Sequence, residues 1–321
     1  MKIIEVKQLK KTFDDFTAVN GIDFSIEKGE LFGFLGPNGA GKTTTINMLT
    51  GLAKPTEGFI SIAGIDATRH IKKAQGKIGI VPDESNLYME MNGFDNLCFC
   101  ASLYGLKKTQ REKKARKLLE QFKLDDTGKR PFKAYSKGMK RKLTIAAGII
   151  HDPDILFLDE PTTGIDVESA RQIRRLIDEL HRSGTTIFLT THYIEEAQRL
   201  CDRIAFIVKG AIIKTGSVQD LMKEAQEENV VEFSLNKISQ NVYLKIADAF
   251  PQARIEPFAN KKIRICTSKQ IELMPIMQYF NDNGIKVFEA KLIEPSLEEV
   301  FVKVTGIEAT KMKVEKEGGR G

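Results

Sequence analysis

The chain has 321 residues, 41% of them hydrophobic, a net charge of +6 and no Trp. That length exceeds one ordinary domain and the apolar share supports a sizeable core, so about two domains are expected. No apolar run approaches the roughly 18 residues that cross a bilayer, and Met1-Lys2-Ile3-Ile4-Glu5-Val6 lacks a secretory shape, which places the expected protein in the cytosol.

Residues 3 to 27 carry alternating apolar positions (Ile4, Val6, Leu9, then Ile22, Phe24, Ile26) and predict two strands around a polar turn. Phe13 sits in that turn, with a flat face that either stacks on a nucleobase or packs in the core. Leu31 to Leu35 predicts a buried strand. The loop Gly36-Pro37-Asn38-Gly39-Ala40-Gly41-Lys42-Thr43-Thr44 follows, and Thr45-Ile46-Asn47-Met48-Leu49 continues as a helix. Strand, glycine loop and helix start are the context that the phosphate-binding pattern G-x-x-x-x-G-K-[ST] requires. The glycines let several backbone N–H groups point into one hollow, and the positive end of the helix faces it. Lys42 adds a charge for the outer phosphates, and the Thr43 hydroxyl suits Mg²⁺.

Short strands are expected at 58–63 and 77–82. From Gly93 to Gln121 the pattern turns helical, as an insertion in an α/β framework. Ser136 is a fitting N-cap for a helix running through Ile150, and with Gly138 it forms a second anion site. Asp154-Ile155-Leu156-Phe157-Leu158-Asp159-Glu160 is a buried strand delivering two carboxylates at its carboxyl end, where ligands sit in open α/β sheets. Asp159 suits the Mg²⁺ shell, and Glu160 suits orienting and polarising a water. Pro161 to Asp166 is a turn before a helix from Glu168 to Leu180. Thr186 to Thr191 is a further strand, ended by His192, which suits contact with a γ-phosphate. Strands at 204–208 and 211–214 close the sheet as a hairpin. His70, His151 and His181 are read as surface residues. The four cysteines (Cys98, Cys100, Cys201, Cys266) are read as small core residues in a reducing compartment, since no second cluster completes a metal site. The basic stretches Lys107 to Lys117 and Lys137 to Lys142 are read as solvated helix faces, and no nucleic acid is expected.

In order and spacing these motifs resemble the ATPase subunits of ABC transporters over about residues 1–220. The resemblance implies an α/β P-loop NTPase fold with an antiparallel β subdomain and an inserted helical subdomain at about 93–150. It implies ATP and Mg²⁺ as ligands, and hydrolysis in a head-to-tail dimer of two copies, or of this chain and a homologue. Phe13 resembles the aromatic that stacks on adenine, Gly36 to Thr44 the Walker A loop, and Asp159 with Glu160 the Walker B pair. Ser136 and Gly138 resemble the signature motif that touches the other subunit's ATP. Asp166 resembles the residue that couples the two sites, and His192 the switch histidine. Two departures stand out. The usual signature Leu-Ser-Gly-Gly-Gln is Tyr-Ser-Lys-Gly-Met at 135–139, and the usual Gln after Val81-Pro82 is Asp83, which is expected to bind Mg²⁺ or serve in coupling.

Leu221 to Glu228 is expected as a charged linker. Beyond it, Val230 to Leu235 (strand), Asn241 to Phe250 (helix), a hairpin of 254–258 and 263–266 around Ala259-Asn260-Lys261, a helix from Gln270 to Asn283 capped by Ser268, and a strand from Ile285 to Leu292 predict a small α+β ferredoxin-like domain over 229–306. Ser296-Leu297-Glu298-Glu299 is a capping box. Pro295 to Phe301 resembles the C-terminal extension of exporter ATPases, including those for drugs and antibiotics. Residues 307–321 are expected as a disordered tail. The resulting expectation is an energy-coupling subunit on the cytoplasmic face of the membrane, with separate permease subunits. The rival is a soluble ABC-type ATPase of DNA repair or translation, but neither long coiled coils nor a second ATPase unit is present.

Overall fold

The computed structural model describes residues 1–225, 229–236, 246–258, 262–268, 271–293 and 296–307. The described residues divide into two compact units, one of residues 1–218 with those from 304 to 307, and one within residues 219–303.

The first unit opens with β1 (Lys2–Phe13) and β2 (Phe16–Glu27), a hairpin. Ile4 and Val6 alternate inward, but Leu9 also points in because the register slips between Val6 and Leu9, where Gln8 has φ 47°. One extra residue reverses the face that follows it. Next come β3 (Leu31–Leu35), α1 (Lys42–Thr50), β4 (Glu57–Ile62), β5 (Ile65–Asp66), α2 (Ala67–Gln75) and β6 (Ile78–Val81). Helices α3 (Gly93–Leu103), α4 (Lys108–Gln121) and α5 (Lys137–Ile149) form the helical region. Then β7 (Ile155–Asp159), α6 (Val167–Arg182), β8 (Thr186–Thr191), α7 (Ile194–Leu200), β9 (Arg203–Val208) and β10 (Ala211–Ser217) complete the framework.

Two sheets result. The small antiparallel one runs β2-β1-β4-β5, and the larger one runs β10-β9-β3-β8-β7-β6. In the larger sheet β9, β3, β8, β7 and β6 are parallel, and β10 is antiparallel at the edge. Every residue of β3, β7 and β8 is buried, as expected of parallel strands covered on both faces. Phe24 of the small sheet stacks on Phe32 of the larger one, centroids 5.7 Å apart, and meets Phe34 and Phe188 at 5.6 and 6.0 Å. These rings form the core between the sheets and hold the carboxyl ends of β3, β7 and β8 in one row.

In the second unit, α8 (Val218–Ala225) occupies the expected linker, with Leu221 buried; residues 226–228 lie outside the described residues. Strands β11 (Asn229–Leu235), β12 (Arg254–Phe258) and β13 (Lys262–Thr267), helix α9 (Leu273–Asp282) and β14 (Val287–Ile293) follow. The antiparallel sheet order β12-β13-β11-β14 encloses Phe233, Ile263, Ile276 and Phe280. The expected Ser268 cap is incorrect: α9 starts at Leu273 with Glu272 as its N-cap. Pro275 explains this, since proline is tolerated only within a helix's first turn and so fixes the start just before it. The capping box at Ser296 forms, with Glu299 N–H donating to Ser296 Oγ at 3.2 Å, and opens α10 (Leu297–Thr305). The start of the expected helix at Asn241, the turn at 259–261, Gln270, Pro295 and the tail from 308 lie outside the described residues. Among the described residues, no helix is long and apolar enough to cross a membrane.

Candidate active site

The loop between β3 and α1 is held open by close backbone approaches. A Cβ on Gly36 would lie 2.1 Å from the Ile207 carbonyl oxygen. Gly41, at φ 101°, is the N-cap of α1, so the first turn of that helix presents its N–H groups to the hollow. Lys42 Nζ donates to the carbonyls of Gly36 (2.8 Å) and Pro37 (3.0 Å), and the buried Ala40 closes the turn with its N–H on the Pro37 carbonyl at 3.2 Å. A cavity of about 370 Å³ opens here, lined by Phe16, Ala18, Asn38, Gly39, Gly41, Lys42, Thr43, Thr44, Asp83 and Glu160. That volume is within the range of small-molecule sites.

The carboxylates arrive from the end of β7. Asp159 accepts from the Thr190 hydroxyl of β8 and from Thr43; burial pushes its carboxyl up, and these hydrogen bonds oppose the rise. Thr43 and Asp159 offer oxygen donors only, and the described residues contain no cluster of three His, Cys, Asp or Glu able to hold a metal. A donor set this small fits Mg²⁺, which takes one or two carboxylates and completes its shell with phosphate oxygens and water. Glu160 Oε1 lies 3.2 Å from Lys42 Nζ, and its Oε2 accepts from His192 Nδ1 (2.5 Å) and the Thr163 hydroxyl (2.8 Å). Burial alone would raise this carboxyl, but the His192 bond, the Lys42 charge and the Thr163 hydroxyl overcome it and hold the pKa at about 2. At neutral pH Glu160 is ionised, so His192 donates Nδ1–H to it.

Phe13 is 47% exposed with Lys11 Nζ 4.6 Å over its ring, whereas Phe16 lines the cavity. Ser136 is the N-cap of α5, accepting from Met139 N–H at 3.2 Å. Gly138 packs so tightly on α6 that a Cβ would lie 2.2 Å from Ser169 Oγ. Neither Ser136 nor Gly138 is among the residues lining the cavity. Asp166 caps α6 through Ser169 N–H (2.8 Å), which holds its carboxyl below the usual range, and it too stands away from the cavity.

Several sequence expectations need correction. Arg141, expected on a solvated face, is 7% exposed. It donates to the carbonyls of Pro82 (2.6 Å), Asp83 (2.8 Å) and Glu160 (3.1 Å), with its Nη2 3.5 Å from Asp83 Oδ1. His151 is half-buried, stacked on Tyr104 at 3.5 Å and bonded to the Ile78 carbonyl, and His181 faces Asp202 at 3.0 Å. Cys98 and Cys100 are half-buried rather than core residues. Phe16, Thr163, Thr190 and the buried Glu196, which accepts from Thr162 Oγ1 at 2.7 Å, carried no local motif to single them out.

A helix-capped hollow faced by an ionised, histidine-bonded carboxylate suits the splitting of a phosphoanhydride, and the fold and site together define a P-loop nucleoside triphosphatase. Residues 19–163 match the ABC transporter family. The chain is 34% identical to the linearmycin resistance ATP-binding protein LnrL of Bacillus subtilis over 313 residues, covering 95% of this chain and 98% of that protein. It is 34% identical to the daunorubicin resistance ATP-binding protein DrrA3 of Streptomyces coeruleorubidus, covering 94% and 96%. To the Nod factor export ATP-binding protein I of Ralstonia nicotianae it is 40% identical, covering 72% of each. A solved ATP-binding cassette, MJ0796 as a dimer in a post-hydrolysis state bound to ADP and Pi, superposes with TM-score 0.62 at 25% identity, over 67% of this chain and 98% of that one. The chain belongs to the ATP-binding subunits of ABC transporters and is an ATPase.

Proposed function

We propose that this protein energises a membrane exporter from the cytoplasmic face of the membrane, hydrolysing ATP between two copies arranged head to tail. One observation carries the dimer: Ser136 and Gly138, at the start of α5 and read as an anion site, do not line the cavity that holds Lys42 and Glu160. A second copy presenting its α5 over the cavity supplies the missing donors. The solved dimeric cassette bound to ADP and Pi supports pairing of two copies.

In this reading the loop N–H groups and Lys42 hold the phosphates, and Glu160 orients the attacking water, an effect worth about 10²–10⁴-fold. His192, donating to Glu160 Oε2, fixes the carboxylate and presents its ring to the γ-phosphate. Thr43 and Asp159 would hold Mg²⁺, with Asp83 beside them; bound there, the ion neutralises charge on the phosphates. Asp166 at the start of α6 would couple the two sites. The permease would dock near residues 83–96, where Tyr88 and Met89 are exposed and Met91 and Phe94 half-buried; the buried Asn96 holds this loop through Tyr88 and Met91. The resistance and export named for the relatives support the exporter over a repair or translation ATPase.

The test is Glu160→Gln with ATP on a sizing column. A dimer that appears only with ATP is the expected result, and monomers alone would refute the sandwich. Membrane pull-down should recover a separate hydrophobic chain, and recovery of nucleic acid instead would favour the repair or translation reading.

A further inference from the structure

We propose that Arg141 is a positioning residue for ATP hydrolysis, whose guanidinium fixes the Glu160 peptide and thereby the aim of its carboxylate. The inference rests on Glu160 being the group that orients the water. Glu160 has φ 48°, in the left-handed region that side chains rarely adopt. Such a backbone persists only where its surroundings over-determine it. Here they do so from both sides. The Glu160 N–H donates to the Thr190 carbonyl (3.1 Å) and hydroxyl (3.2 Å) of β8, and its carbonyl accepts from Arg141 Nη2 (3.1 Å).

The same guanidinium reaches the carbonyls of Pro82 and Asp83, on the segment leaving β6. One planar group with donors in several directions therefore joins α5, the Asp83 wall of the cavity and the end of β7. An ammonium, a single compact donor centre, does not span that set. Arg141 lies in the same helix as Ser136, so the clamp also sets the spacing between the anion site at the start of α5 and the carboxylate of Glu160. Asp83 acquires a role that its place in the sequence does not suggest. Its carboxylate, 3.5 Å away, is a counter-charge for a buried cation.

Full-length Arg141→Lys and Arg141→Ala are compared with the parent and with Glu160→Gln for kcat and KM of ATP hydrolysis. Arg141→Lys should lower kcat about tenfold and Arg141→Ala about 10²-fold, the size of a 1 Å misplacement, with KM moving less than about threefold. Added guanidinium at millimolar concentration should recover part of the kcat of Arg141→Ala and leave the parent unchanged. Parental kcat in Arg141→Lys overturns the proposal. So does a loss in Arg141→Ala that guanidinium does not reverse, because a purely structural role gives that pattern. Should Arg141→Ala not fold, Arg141→Lys alone decides. Parental turnover in Glu160→Gln would remove the reading of Glu160 itself, and this inference with it, so the two failures are told apart.

Discussion

Replacing Glu160 by Gln tests the electrostatics of the site in two opposite directions. The carboxyl is held at about 2 rather than its ordinary 4.5 by His192 and Lys42, against the opposing effect of burial. Because the folded value lies below the unfolded one, the ionised form stabilises the fold, by about 3 kcal/mol at pH 7. That contribution is complete above pH 4.5 and lost as the pH falls through about 2. Glu160→Gln should therefore cost about 3 kcal/mol in urea denaturation at pH 7 without nucleotide, and the gap should narrow as the pH falls below 4.5. With saturating ATP the sign reverses. The parent must hold a carboxylate beside the phosphates, whereas the variant does not, so ATP should raise the melting temperature of the variant more than that of the parent. A variant as stable as the parent at pH 7, or one that ATP stabilises less, would refute the pairing of Glu160 with Lys42 and His192.

Phe16→Ala should raise KM for ATP more than Phe13→Ala, because Phe16 lines the cavity and the Phe13 ring carries Lys11; fluorescent-nucleotide titration of both variants decides. Asp83→Gln should keep ATPase activity within about tenfold, or 1.4 kcal/mol, since Arg141 keeps the residue 83 carbonyl; a loss of several hundredfold would show that the acid takes part in the chemistry. Gly138→Ala should lower turnover while leaving nucleotide binding by the single chain intact, because the added Cβ meets Ser169 rather than the cavity, and equilibrium binding measured beside steady-state rates separates the two.

The parts of the site legible in the sequence are those set by local spacing. Three glycines around Lys42 between an apolar strand and a helix allow one loop, and Ser136 before a helix allows one cap. Asp159 and Glu160 were legible because four buried apolar residues can lead only to a strand end. Arg141 was not. It sits in the run Lys137 to Lys142, and only the convergence of Pro82, Asp83 and Glu160, on two segments distant in sequence, buries it. Phe13 and Phe16 are three residues apart in one hairpin, and which ring faces the loop depends on pairing that the residue types do not specify. His151 looked like a surface residue because its partners, Tyr104 and the Ile78 carbonyl, come from other elements.

A carboxylate held at about 2 is a poor proton acceptor near neutrality, since a general base works best with a pKa near the operating pH. Yet Glu160 is the group proposed to orient the water. After the His192 hydrogen bond, the next group that lowers the carboxyl is Lys42, which lies against Glu160 Oε1 and is proposed to hold the phosphates. On the proposed reading, a triphosphate in the loop would compete for the lysine and bring negative charge beside Glu160. Withdrawing a cation and adding an anion both raise the proton affinity of the carboxylate. On that reading, ATP binding is therefore expected to raise the proton affinity of Glu160 by drawing Lys42 toward the phosphates, while the His192 bond still opposes the rise.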